Sequence, residues 1–187
     1  MLESSYITAH PTEAVVTVAE VREHARIDST HTDELIRAII TAAERTVEHL
    51  TRTALLTQTR TGLYRSVRVL TPEVCPGTPV QSMTVTRYTS ESATESVTVR
   101  RTDGSPAMWY PPDDGFSYER TDGSPTWTVS AVCGYASKAD IPAPIRHAIL
   151  LLCGHLYDHP ELVSGEPLKE VPFTISLLIA PYTAPIF

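Results

Sequence analysis

Clusters of basic residues are missing from this chain of 187 residues. Only 20% of it is charged, the formal net charge is −7, and the arginines are scattered. Arg65 lies near Arg68, and Arg100 beside Arg101, but no run forms. General phosphate-backbone binding needs clustered Lys and Arg, so the composition argues against it. Cysteine is scarce as well. Cys75, Cys133 and Cys153 make an odd count without paired spacing, which argues against a disulfide framework or a zinc site. The expectation is free thiols in a reducing compartment, with Cys153 as small core filler on a helix. The longest apolar run, Ala148 to Cys153, is too short to span a bilayer. The segment from Met1 to Ser5 has no basic stretch leading into an apolar run, so no signal peptide is expected, and the chain reads as soluble and made in the cytosol.

Catalytic constellations are also absent. There is no Gly-x-Ser-x-Gly elbow, no Gly-x-Gly-x-x-Gly and no phosphate-binding Gly-x-x-x-x-Gly-Lys-Ser/Thr. His155 and His159 lie four apart on a helical stretch with Asp158 between them, a spacing that can place two imidazoles on one metal. Leu156 stands where a zincin would carry its glutamate, and a third ligand would have to come from elsewhere. Solvated histidines are the plainer reading. Cys153 and His155 are two apart on a helix and do not face each other. Asp113 and Asp114 before Gly115 read as an exposed turn, not a calcium loop. No enzyme, cofactor or metal is expected.

What is present is core material: 42% of the residues are hydrophobic, enough for one domain or a small domain carrying an insertion. Thr17 and Glu20 have capping-box spacing, and Val18, Val21 and Ala25 follow on one helical face. Ser29, Thr30 and Thr32 are cap candidates for a second helix, with Asp33 and Glu34 at its positive end. Its stripe is Leu35, Ile36, Ile39, Ile40, Ala43, Val47 and Leu50, with Glu44, Arg45 and Glu48 expected on the other side. Pro142 and Pro144 announce a last long helix carrying Ile145, Ala148, Ile149, Leu152 and Leu156, which His159-Pro160 ends. Between these helices, segments 57–63, 67–70, 80–88, 96–101 and 127–132 are rich in Val, Thr and aromatics and read as strands. The hexapeptide Arg101 to Pro106 recurs letter for letter as Arg120 to Pro125. Its Asp-Gly is a turn signal, and each copy leads to a tryptophan, Trp109 or Trp127.

The expected fold is α+β. Helices of 17–52 and 142–159 pack into a helical bundle, a small antiparallel β-sheet or sandwich module is inserted at 53–141, and 160–187 is a Pro-rich C-terminal arm. The arm holds five of the 15 prolines and few charges, being too apolar for a free tail and too Pro-rich for a long helix. It reads either as a strap across its own helices or as an arm onto a neighbour, with Leu177, Leu178, Ile179, Tyr182 and Phe187 as the contact residues.

The order of these segments resembles a known family. Val18 to Asp28 (VAEVREHARID), Asp33 to Ile36, Ala42 to Glu44 and Val47 to Thr51 look like the opening helices of tailed-phage head–tail connector proteins, also called portal adaptors or head-completion proteins. Ala54 to Gln58 resembles that family's exit from the second helix, and Pro79 to Val85 its first well-marked strand. Cys133 to Tyr135, Ile141-Pro142, Ile145 to Leu150 and His155 to Glu161 resemble its closing strand and helix. Leu177 to Tyr182 resembles its terminal segment. The neck proteins of gene transfer agents fall within the same resemblance.

The resemblance implies a structural protein of the virion neck, assembled in the host cytoplasm. It implies a ring of copies, commonly twelve, beneath the portal protein. Such a ring extends the channel for double-stranded DNA without sequence-specific binding. It also offers a docking surface to a tail-side neck or tail-terminator protein, and it has no membrane. Two other readings stay open: a ligand-binding β module presenting Trp109, Tyr110 and Trp127 on an exposed face, and a metal hydrolase built on His155 and His159.

Overall fold

The computed structural model describes residues 2–28, 33–65, 79–101, 109–110, 119–159 and 173–183. They form an α+β protein that divides into two compact units, one lying within 12–56 and 135–184, the other within 2–11 and 57–134.

The first unit is helical. Helix α1 (Val18–Ala25) begins as its cap residues dictate: the Thr17 hydroxyl accepts the Glu20 N–H at 3.2 Å, and the Glu20 carboxylate accepts the Thr17 N–H at 2.7 Å. Arg26, at φ 54, turns the chain out of the helix. Helix α2 (Asp33–Thr51) follows, with Asp33 paired to Arg22; the expected caps Ser29, Thr30 and Thr32 lie outside the described residues. Ile36, Ile40, Ala43 and Val47 are buried as expected.

Two expectations for α2 are corrected. Leu35 is 54% exposed, although its spacing puts it on the apolar stripe; it lies in the first turn of the helix. Glu48 is buried and Glu44 half-buried, not turned outward. Ile36, Ile40, Glu44 and Glu48 are successive i+4 positions, one ridge of the helix, so the helical period carries the carboxylates to the side that Ile36 and Ile40 bury.

Helix α3 (Ala143–Asp158) starts at Pro142 with Pro144 in its first turn, and buries Ile145, Ala148, Ile149, Leu152 and Cys153. It packs against α1, α2 and α4 (Phe173–Ile179), which runs into a 3₁₀ turn at Ala180–Tyr182. Ile175 and Ile179 of α4 join the same core as Val21, Ile36 and Ile149. Part of the segment read as an arm is therefore helical and packs on its own unit.

The second unit is a five-stranded sheet, β1 (Leu2–Ala9), β2 (Gln58–Tyr64), β3 (Val80–Tyr88), β4 (Thr94–Val97) and β7 (Trp127–Cys133), with β5 (Arg100–Arg101) and β6 (Trp109–Tyr110) as a separate antiparallel ribbon. The order is β1-β2-β7-β3-β4, and every neighbouring pair is antiparallel. Central β7 shows the period of two: Trp127, Val129, Ala131 and Cys133 are buried, while Thr128, Ser130 and Val132 between them are half-buried. Val129 stands opposite Gly62 on one side and Val85 on the other.

The expected strand at 96–101 is divided between β4 and β5, and that at 67–70 lies outside the described residues. β1 has no counterpart among the expected strands, and because it precedes α1 the β unit is not a simple insertion. The second Asp-Gly turn is present, with Gly123 at φ +69 and its N–H donating to the Arg120 carbonyl at 3.0 Å; the first copy lies outside the described residues beyond Arg101. Cys133 is disulfide-bonded, which corrects the expectation of free thiols throughout; Cys153 is a free, buried thiol. An odd count leaves one thiol over, and which two meet depends on three-dimensional approach, not on spacing in the chain.

Candidate interaction surface

The histidines expected to be solvated or metal-binding lie at the end of α3. The His155 and His159 rings are 4.8 Å apart between centroids. Among the described residues no group of three or more His, Cys, Asp or Glu is placed to hold a metal ion. Burial pushes the Cys153 thiol up to about 12, the nearby Glu44 adding to the effect, so a thiolate nucleophile is not accessible there at neutral pH. Trp127 is buried, with the Arg87 guanidinium 5.7 Å from its ring centroid. This corrects its place in an exposed aromatic face: as the first residue of a central strand, it is held by the sheet. Trp109 and Tyr110 form β6.

The five expected contact residues separate by the period of α4. Ile175 and Ile179 are one turn apart and face the core, with Ile179 only 3% exposed. Leu178 and Tyr182 are half-buried at the margin of that core. Leu177 points the other way at 58% exposure, flanked by exposed Ser176. Phe187 lies outside the described residues. A short helix that anchors two isoleucines and turns a leucine to water presents an apolar side chain on a fixed support. Leu35 and Tyr6 are the other large apolar side chains strongly exposed among the described residues.

Sequence reasoning missed the carboxylate pair of α2. Glu44 Oε1 accepts the Val15 N–H at 2.6 Å, and its carboxylate also takes the Val16 N–H. Burial raises Glu44 above its ordinary value despite those bonds. Glu48 accepts the Leu55 N–H at 3.0 Å through Oε1 and pairs with Arg45 at 2.7 Å through Oε2. The signal was the i+4 row shared with Ile36 and Ile40. In the β unit, Thr121 donates its N–H and hydroxyl to Glu91, at 2.8 and 2.9 Å, and Arg120 lies 4.4 Å from the Tyr88 ring centroid. Bonds from Arg120 and then Ser124 hold Asp122 well below the usual carboxylate range. These contacts fix the second Asp-Gly turn.

Residues 15–110 match the model of a protein family described as phage gp6-like head-tail connector protein. No curated protein sequence matches the chain. Among solved structures, a chain in the neck of an empty GTA particle, computed with C6 symmetry, superposes with a TM-score of 0.74 at 18% identity, covering 98% of this chain and 97% of that one. A chain in the virion of a native gene transfer agent particle gives 0.70 at 17% identity, with 98% and 96% covered. A chain in the neck of a native GTA particle, computed with C12 symmetry, gives 0.63 at 17% identity, with 97% of each chain covered. At these identities the likeness establishes the fold.

Proposed function

This chain belongs to the phage gp6-like head–tail connector family, and on that premise we propose that it is a structural protein of a virion neck, with no enzymatic activity. In this reading it assembles in the host cytoplasm into an oligomeric ring of about twelve copies beneath the portal protein, extends the DNA channel, and offers the tail-side neck protein its docking surface. The family match over 15–110 carries the reading. The fold likeness to chains in GTA particle necks supports it. The helices of 17–52 and 142–159 are its bundle scaffold. The net charge of −7 suits a channel past which DNA slides without adhering.

A ring is built from heterologous contacts, in which one patch meets a different patch on the next copy. The segment 160–187 supplies one side, towards a neighbouring copy or the portal. Leu177 makes the contact, Leu178 and Tyr182 border it, Ile179 fixes α4 from behind, and Phe187 extends it. Leu177→Glu, at the exposed contact residue, and deletion of Pro181 to Phe187 should each leave the circular dichroism of the folded chain and give capsids that keep the portal but fail to join tails. Full neck assembly by both variants would refute the arm. Electron microscopy of the particle's neck tests the whole reading, which fails if no density there fits this chain.

A further inference from the structure

Among the described residues the chain passes between its two units at 11/12, 56/57 and 134/135. Inside the helical unit, each of the first two passages is followed or preceded by a main-chain N–H bound to a carboxylate of α2. Glu44 takes Val15, at 2.6 Å, and Val16; Glu48 takes Leu55 at 3.0 Å. The third passage depends on the second, because Tyr135 donates its N–H to the Leu55 carbonyl at 3.2 Å and bridges Leu56. Val15, Val16 and Leu55 are at most 1% exposed, so water cannot replace these acceptors. A carboxylate is a costly acceptor to bury, and its return is a shorter, stronger bond than a neutral group makes. Glu44 and Glu48 are one helical turn apart, so a single stretch of α2 reaches both segments.

We propose that Glu44 and Glu48 form a double latch that fixes, from one turn of α2, the course of the described segments by which the chain leaves the helical unit. Each carboxylate governs its own segment: Glu44 holds 15–16, and Glu48 holds 55–56 together with Tyr135. The latch is local, in that releasing one member loosens one segment while the core around Ile149 stays closed. It requires no ring and no partner.

Amide hydrogen exchange on the full chain tests it. Glu44→Ala should speed exchange at Val15 and Val16 by at least about tenfold and leave Leu55 and Tyr135 unchanged, since a lost charge-assisted bond is worth more than one decade in the opening equilibrium. Glu48→Ala should do the reverse. Glu44→Gln and Glu48→Gln keep an oxygen acceptor, so each should show the same segment-specific pattern with a smaller increase. If the alanine variants do not fold, the glutamine variants decide the matter by that pattern. Unchanged rates at these amides, or an equal increase across all helices including the amide of Ile149, would overturn the latch.

Discussion

Replacing Ile149 by alanine removes three carbons from a side chain with no exposed surface, in the middle of α3 and in the core shared with α1, α2 and α4. At about 0.8 kcal/mol for each buried methylene the transfer loss is about 2.4 kcal/mol. Helices pack around the site and limit collapse, so a cavity cost adds to this and the total should reach about 4 kcal/mol, inside the range of roughly 2–5 seen for such truncations. For a chain of this size that corresponds to a fall in melting temperature of roughly 10 °C. Ile39→Ala is the control: Ile39 is only half-buried against the same core, and its loss should be about half as large. Urea unfolding followed by circular dichroism at 222 nm reads the helices, while tryptophan fluorescence reads the β unit, where Trp109 and Trp127 both lie. A loss below about 1 kcal/mol for Ile149→Ala, or equal losses for the two variants, would refute the assignment of Ile149 to the centre of that core.

Thr17→Ala removes one arm of the capping box and should cost about 1 kcal/mol, read as a shift of roughly 2–4 °C in thermal melting; an unchanged melt would mean that the cap contributes nothing. Stability should also depend on pH in two opposed ways. Glu20 is held below its ordinary 4.5 by the N–H and then the hydroxyl of Thr17, so its contribution is complete above that value and is lost as the pH falls through the lower folded value. Glu44 is raised by burial, so the folded chain holds a proton that the unfolded chain has released, and stability rises as the pH falls from the raised value towards 4.5. Urea midpoints across the acid range should lose that rise in Glu44→Gln; a profile superposable on the parent's would contradict the buried state of Glu44.

Where local rules and burial agree, the sequence sufficed. The capping box opens α1 at Thr17, the alternation of Val80 to Tyr88 coincides with β3, and the Val and Trp positions of 127–132 form the central strand. The misses share a cause. β1 exposes Ser4, Ser5, Tyr6 and Thr8, so no alternation of apolar residues marks it; its order comes from the ladder with β2, residues distant in the chain. The charge of Glu44 and Glu48 points them outward while their spacing places them inward, and the backbone donors that offset their burial belong to other segments. Leu177 and Ile179 are similar in the sequence, and only the phase of α4 against the core separates the exposed side chain from the buried one. The family resemblance rests on the order of weak motifs, each unspecific alone, and the family model matches the chain over residues 15–110.

β1 pairs with β2 across two intervening helices, and α3 completes the core of α1 and α2 only after the seven described strands have passed. On a ribosome this is a schedule of waiting. β1 leaves the exit tunnel with its partner some fifty residues behind it, and the stripe of α2 stays uncovered until α3, some ninety residues further on, has been made. Neither unit can be cut out as a continuous fragment, and a chain released early holds two unfinished cores with open edges. Sequence-distant closure of this kind folds slowly and exposes the nascent protein to aggregation. The abundance of the protein in a cell that expresses it should therefore depend on chaperone supply more steeply than its finished stability alone would suggest.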